Sequence, residues 1–152
     1  MKQFASTTWL ILFSLVATTG FAQQSAAPKP QLFNAFPEAI TCNVNEIARI
    51  FTIAQGQQTN IALASNFAFS GTVASSELKY GVLQSAVVKM PAFNNAILHI
   101  TKRTKSDNSI VYTGRIINDA FADGYELRKD ANGNYQLIKI KTEMVIPDCN
   151  QQ

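Results

Sequence analysis

The chain holds one histidine, His99, one tryptophan, Trp9, and two cysteines, Cys42 and Cys149, among 152 residues. Charged residues are sparse too, at 15%, with a formal balance of +3. Each scarcity removes a class of chemistry. A structural zinc site asks for four nitrogen or sulfur ligands at short recurring spacings, and a lone histidine with two widely separated cysteines does not supply them. A Ser-His-Asp arrangement needs a positioned nucleophile, and the sequence holds no G-x-S-x-G elbow. Walker, G-x-G-x-x-G and H-E-x-x-H motifs are equally missing. We therefore expect no catalytic residue, no metal site and no cofactor. His99 sits between Leu98 and Ile100, where strand alternation turns it to the face opposite both. It reads as a cross-strand or surface residue. A charge of +3 is too near neutral to announce a nucleic-acid partner.

What is present begins at the N-terminus. Lys2 precedes an apolar run from Trp9 to Ala17, and Gly20-Phe21-Ala22 places small residues at the −3 and −1 positions of a cleavage site. The run is half the ~20 residues that a spanning helix requires, and no basic stop-transfer cluster follows it. We expect residues 1–22 to be a cleaved signal peptide, so that the mature chain is secreted or periplasmic and keeps no membrane span. Residues 23–31, Q-Q-S-A-A-P-K-P-Q, read as a flexible linker. Residues 32–152 read as one domain of ordinary size. Export would deliver Cys42 and Cys149 to an oxidising compartment, where an even count favours one intramolecular disulfide. Closing so wide a loop is worth about 4–5 kcal/mol on chain-entropy grounds. It would also pin the start of the helix to the end of the last strand.

One helix is expected over 44–55. Asn43 suits the N-cap and Glu46 lies three residues on, as in a capping box. Val44, Ile47, Ala48 and Phe51 share a helical face, and Gly56 follows where a C′ glycine would sit. Beyond Gly56 the apolar period changes to 2. Ile61, Leu63, Phe67, Phe69 and Val73 alternate with small or polar residues, with a break near Ser65-Asn66. A loop is expected from Ser75-Ser76-Glu77. Strands then follow over 82–90, 96–104 and 110–117, the last with Gly114 as a bulge. A final hairpin turns at Asp130-Ala131-Asn132-Gly133, where Asn and Gly tolerate positive φ. The expected fold class is α+β: one N-terminal helix on a five- to six-stranded antiparallel β-meander, open or curling toward a partly open barrel. In its last strand, alternation from Tyr135 and Leu137 points Lys139 and Lys141 inward. That arrangement requires a bulge near Leu137 or a second cover, such as the 44–55 helix.

Two groups of residues are candidates for binding. Loop acids beside aromatics, Asp119, Phe121, Asp123 and Tyr125, could hold a sugar by ring stacking and acceptor oxygens, with Glu126 as a further carboxylate. Cations near two hairpin tips, Lys102, Arg103, Lys105, Arg128 and Lys129, could form an anion-binding patch for an acidic glycan or lipopolysaccharide. Asp130 to Asn134 starts like a calcium loop, but Tyr135 stands where glycine is required and Lys141 where a bidentate Glu should be. The expected function is that of an exported, non-catalytic binding or accessory module of the cell envelope or extracellular space, with a protein or an acidic glycan as partner. The alternatives are an inhibitor or regulator of a secreted hydrolase and a glycan-active enzyme using loop carboxylates.

Overall fold

The computed structural model describes residues 28–144. The expected signal peptide and its cleavage point, most of the expected linker, and Cys149 lie outside the described residues. The elements are β1 (Ala39–Thr41), α1 (Val44–Ile50), β2 (Gln58–Ala64), β3 (Phe67–Lys79), β4 (Leu83–Met90), β5 (Ala96–Thr104), β6 (Ile110–Ile117), β7 (Asp123–Lys129) and β8 (Tyr135–Lys141). Short 3-10 turns span Pro91–Phe93 and Thr142–Met144. The eight strands form one antiparallel sheet in the order β1-β8-β7-β6-β5-β4-β3-β2, which curls into a half-barrel. This corrects the expected five or six strands. From β2 to β8 every strand pairs with its sequence neighbour, whereas β1 crosses to β8 with Ile40 opposite Leu137. Three residues are too few to show alternation, so β1 exists because of a partner at the far end of the chain.

The two edges of the sheet are joined around α1. Cys42 N–H donates to Tyr135 O at 2.8 Å, continuing the β1–β8 ladder, and Asn43 N–H donates to Leu63 O of β2 at 2.7 Å. Asn43 caps the helix as expected, its side chain accepting from Asn45 N at 2.9 Å. Glu46 is used differently from a capping-box acid. It pairs with Arg49 and accepts from Ala62 N, while Arg49 Nη2 donates to Asn60 O. The ion pair thereby satisfies outward backbone groups of β2, which would otherwise be a bare edge. The helix ends at Ile50 instead of residue 55 because Phe51, Thr52 and Ile53 each bond three residues back, tightening the last turn. Gly56 (φ +81) then donates to Val73 O, so it opens the path into β2 and is no C′ cap.

The core fills the inside of the curl. Ile61, Val88, Leu98, Ile100, Ile116 and Leu137 line it from five strands, each at most 1% exposed, and Ile47 and Ile50 of α1 cover them. Phe33, fully buried, anchors an aromatic cluster at one end, with Tyr125 at 5.1 Å and Phe93 at 5.3 Å between centroids. Phe51 stacks on Tyr112, and Tyr112 meets Tyr135 edge-on, near the other end. Gly114 is not a bulge, since its pairing with Ile100 and Leu127 is continuous. Glycine is required there because a Cβ would lie 2.8 Å from His99 O. Nor does β8 contain a bulge at Leu137–Ile138. Its inward Lys139 is covered by the 36–38 segment and not by the helix: Nζ donates to Phe36 O at 2.7 Å and meets Glu38 Oε1 at 3.0 Å.

Candidate functional site

In an all-antiparallel meander the loops after β3, β5 and β7 share one end, and those after β2, β4 and β6 share the other. The sequence-derived candidates are therefore divided. Lys102, Arg103, Lys105, Arg128 and Lys129 lie at the first end, whereas Asp119, Phe121, Asp123 and the start of β7 with Tyr125 lie at the second.

The second end is a clamp. Asp123 is only 4% exposed, and its two carboxylate oxygens accept from Leu32 N at 2.5 Å and Phe33 N at 3.0 Å. Pro30 O accepts from Ala122 N, so the end of the expected linker is docked. Tyr125 is not a stacking platform, because its ring is fully buried and its hydroxyl donates to Pro37 O at 2.5 Å. Burial first, then the charges of Glu38 and Asp123, push its phenol up to about 12. Phe121 is half-buried and its carbonyl accepts from Thr142 Oγ1, while Asp119 is exposed. A surface groove of about 620 Å³ lies beside the clamp, lined among others by Phe36, Glu38, Asp123, Lys139 and Glu143. Three of its polar side chains are already engaged: Lys139 holds Glu38 and Phe36 O, and Asp123 holds the 32–33 backbone.

The first end is open. The β3–β4 hairpin runs on past the helix-covered core, because β3 continues through the expected loop at Ser75 to Lys79. It turns through Tyr80 (φ 56), Gly81 (φ 70) and Val82, a three-residue loop whose first two residues are left-handed. Directly paired residues share a sheet face, so Leu78, Gln84, Lys102 and the buried Tyr112 form one row on the concave side. Val82, Thr104 and Ile110 form the row beyond it. Four apolar side chains are bare here: Leu78 (66% exposed), Tyr80 (92%), Val82 (49%) and Ile110 (42%). β6 and β7 pair only over Gly114–Ile116, and above that level Tyr135 Oη accepts from Tyr112 N at 3.1 Å across the gap. Lys129 Nζ lies 5.8 Å from the centroid of the Tyr135 ring.

Charge is distributed as unevenly as apolar surface. Residues 77–85, 101–113 and 128–136 carry six cations (Lys79, Lys102, Arg103, Lys105, Arg128, Lys129) against Glu77, Asp107 and Asp130, a net +3. The other described residues hold six cations and six anions and cancel. Sequence reasoning located the cations but missed the apolar tips, whose exposure depends on how far β3 outruns its cover. The carboxylates outside the clamp are structural in setting. Burial opposes ionisation of Glu126, yet hydrogen bonds from Arg128 and Arg115 hold its carboxyl below the usual range. His99 is exposed on β5 between Val87 and Arg115. Asp130 accepts from Asn132 N and Asn134 N within its own turn. Among the described residues no three His, Cys, Asp or Glu side chains gather to hold a metal ion, and no helix is long and apolar enough to cross a membrane. Cys42 is a buried thiol donating to Ile40 O at 3.6 Å, and burial pushes it up to about 11. No protein family, curated protein or solved structure matches the chain.

Proposed function

We propose that the chain is an exported, non-catalytic binding or accessory module of the cell envelope or extracellular space, and that it acts through its open end. One observation carries this reading: the net +3 of the described residues and four of their five large exposed apolar side chains share the hairpin-tip end. Two of the three carboxylates a glycan-active enzyme would draw on are committed elsewhere, Asp123 to the 32–33 backbone and Glu126 to two arginines, which leaves Asp119 alone. Affinity capture with residues 23–152 against envelope glycans and proteins tests the reading. Capture that disappears with Lys102, Arg103 and Lys105 neutralised supports it. A saturable turnover lost on Asp123→Asn or His99→Ala overturns it. The overhanging β3–β4 hairpin, with Tyr80 at 92% exposure, favours a second reading as an inhibitor of a secreted hydrolase. Undiminished hydrolase activity at stoichiometric excess of the protein removes that reading.

Within the same proposal, Cys42 and Cys149 bridge in the exported protein. Glu38 and Glu143 line one groove, so the C-terminal residues start near the base of β1. Six residues from Glu143 reach about 20 Å when extended, against about 13 Å from Glu38 to Cys42. Non-reducing mass spectrometry of the exported protein tests the bridge, and two alkylatable thiols under denaturing conditions refute it.

A further inference from the structure

We propose that the open end docks on an anionic lipid surface, a partner class that deepens the binding-module reading and rests on it. Three observations converge. The first is the composition of the tips: Leu78, Tyr80, Val82 and Ile110 are bare, and Lys102, Arg103, Lys105 and Lys129 stand beside them. Apolar side chains including a tyrosine, ringed by cations, match the chemistry of a headgroup layer over acyl chains. The second is the shape of the hairpin. β3 and β4 stay paired up to Lys79 and Leu83, beyond the helix-covered core, so the apolar tip projects from the body. The third is a cost accepted at the turn. Left-handed positions in a tight hairpin turn favour Asn, Asp or Gly, yet a tyrosine occupies one at φ 56 with its ring in solvent. Turn chemistry gives no reason for that ring, whereas an interfacial contact does.

Other occupants fit less well. A second copy would bring another net +3 to the same end and repel. A soluble acidic glycan or a nucleic acid would satisfy the cations and leave Leu78, Val82 and Ile110 in water. A lipid surface with acidic headgroups uses both sets of side chains.

The test is flotation of the chain from Gln23 to Gln152 with vesicles of phosphatidylcholine, with and without phosphatidylglycerol. Every buried residue described lies between Phe33 and Thr142, so this chain keeps the whole described core. A cooperative thermal melt checks each variant for folding. Wild-type protein is expected to float with the anionic vesicles, weakly with neutral ones, and less in high salt. Each cation near an anionic surface is worth about five-fold in affinity, so neutralising Lys102, Arg103 and Lys105 to Gln lowers binding by roughly 100-fold. Changing Leu78→Ser and Val82→Ser lowers vesicle binding but leaves binding to soluble dextran sulfate unchanged. Arg103→Glu alone serves as a second charge variant should the triple change lose its cooperative melt. Equal flotation with both vesicle types, flotation with neither, or insensitivity to Leu78→Ser and Val82→Ser overturns the lipid assignment. Loss of vesicle binding with retained capture of an acidic glycan or a protein through the same cations overturns the lipid partner alone. A saturable turnover overturns the binding-module reading itself.

Discussion

Replacing Asp123 with alanine separates a clamp from a functional acid. The carboxylate holds Leu32 N and Phe33 N across 91 and 90 positions of sequence, and Phe33 is wholly buried against Tyr125, Phe67 and Phe93. Two responses are open to Asp123→Ala. Keeping Phe33 docked leaves two N–H groups without acceptors, at about 1–3 kcal/mol each. Letting the segment swing out rehydrates them and gives up about 1.5–3 kcal/mol of Phe33 burial. The chain takes the cheaper course, so the loss is about 2–3 kcal/mol. For a domain of this size that is a fall of roughly 10 °C in Tm. Asp123→Asn keeps one acceptor oxygen and should lose about half as much. Thermal melts and urea midpoints at constant slope measure it. The reasoning fails if Asp123→Ala melts within ~2 °C of wild type, and fails doubly if that variant also abolishes a turnover or sugar binding.

Other perturbations have equally definite expectations. Tyr125 is raised in the fold from 10.0 to about 12, so the unfolded chain ionises first and stability is full below pH 10. About 3 kcal/mol is then lost as pH climbs through the folded value. Tyr125→Phe should cost about 1 kcal/mol at neutral pH by losing the Pro37 bond and remove this alkaline loss, since a bridged Cys42 has no thiol to ionise. Urea melts across that pH range decide it, and an unchanged alkaline loss in the variant refutes it. Gly124→Ala would put a Cβ 2.4 Å from Ile116 O, a backbone atom that cannot swing aside. We expect a loss of more than ~3 kcal/mol, read as a collapsed melting transition, and a near-native melt would contradict the close strand approach. Tyr80→Asn relieves a left-handed tyrosine and should raise stability by about 0.5–1 kcal/mol while weakening vesicle flotation. A variant no more stable than wild type would remove the argument from turn strain.

How much could be read from the residues differed by element. Asn43 as a cap, strands at 96–104 and 110–117, and the turn at Asp130–Gly133 all follow from local chemistry, and the structure has them. The tip cations were visible because lysines and arginines near a loop remain exposed wherever the sheet lies. Features decided by distant partners were not visible. Asp123 looks like a loop acid until Leu32 and Phe33 are brought to it, and Tyr125 looks like a surface ring until Pro37 covers its hydroxyl. Glu46 satisfies the cap pattern yet turns to Arg49 and the β2 edge, since the curl of the sheet brings that edge within reach. The Tyr80-Gly81 turn escaped because tyrosine is not a residue that turn chemistry would select.

The β1–β8 pairing sets a timetable for synthesis. Ile40 waits for Leu137, Leu32 and Phe33 wait for Asp123, and Phe36 waits for Lys139. The ribosome makes the waiting partner first in every case. The hairpins from β2 to β8 can form as they appear, through contacts between neighbours, but β1 has no strand partner until the last strand exists. A nascent chain stopped before β8 therefore lacks the partner of β1 as well as one strand. Premature termination should produce an unfinished sheet with Ile40 of β1 unpaired. Completion of a single seven-residue strand converts that species into the closed domain.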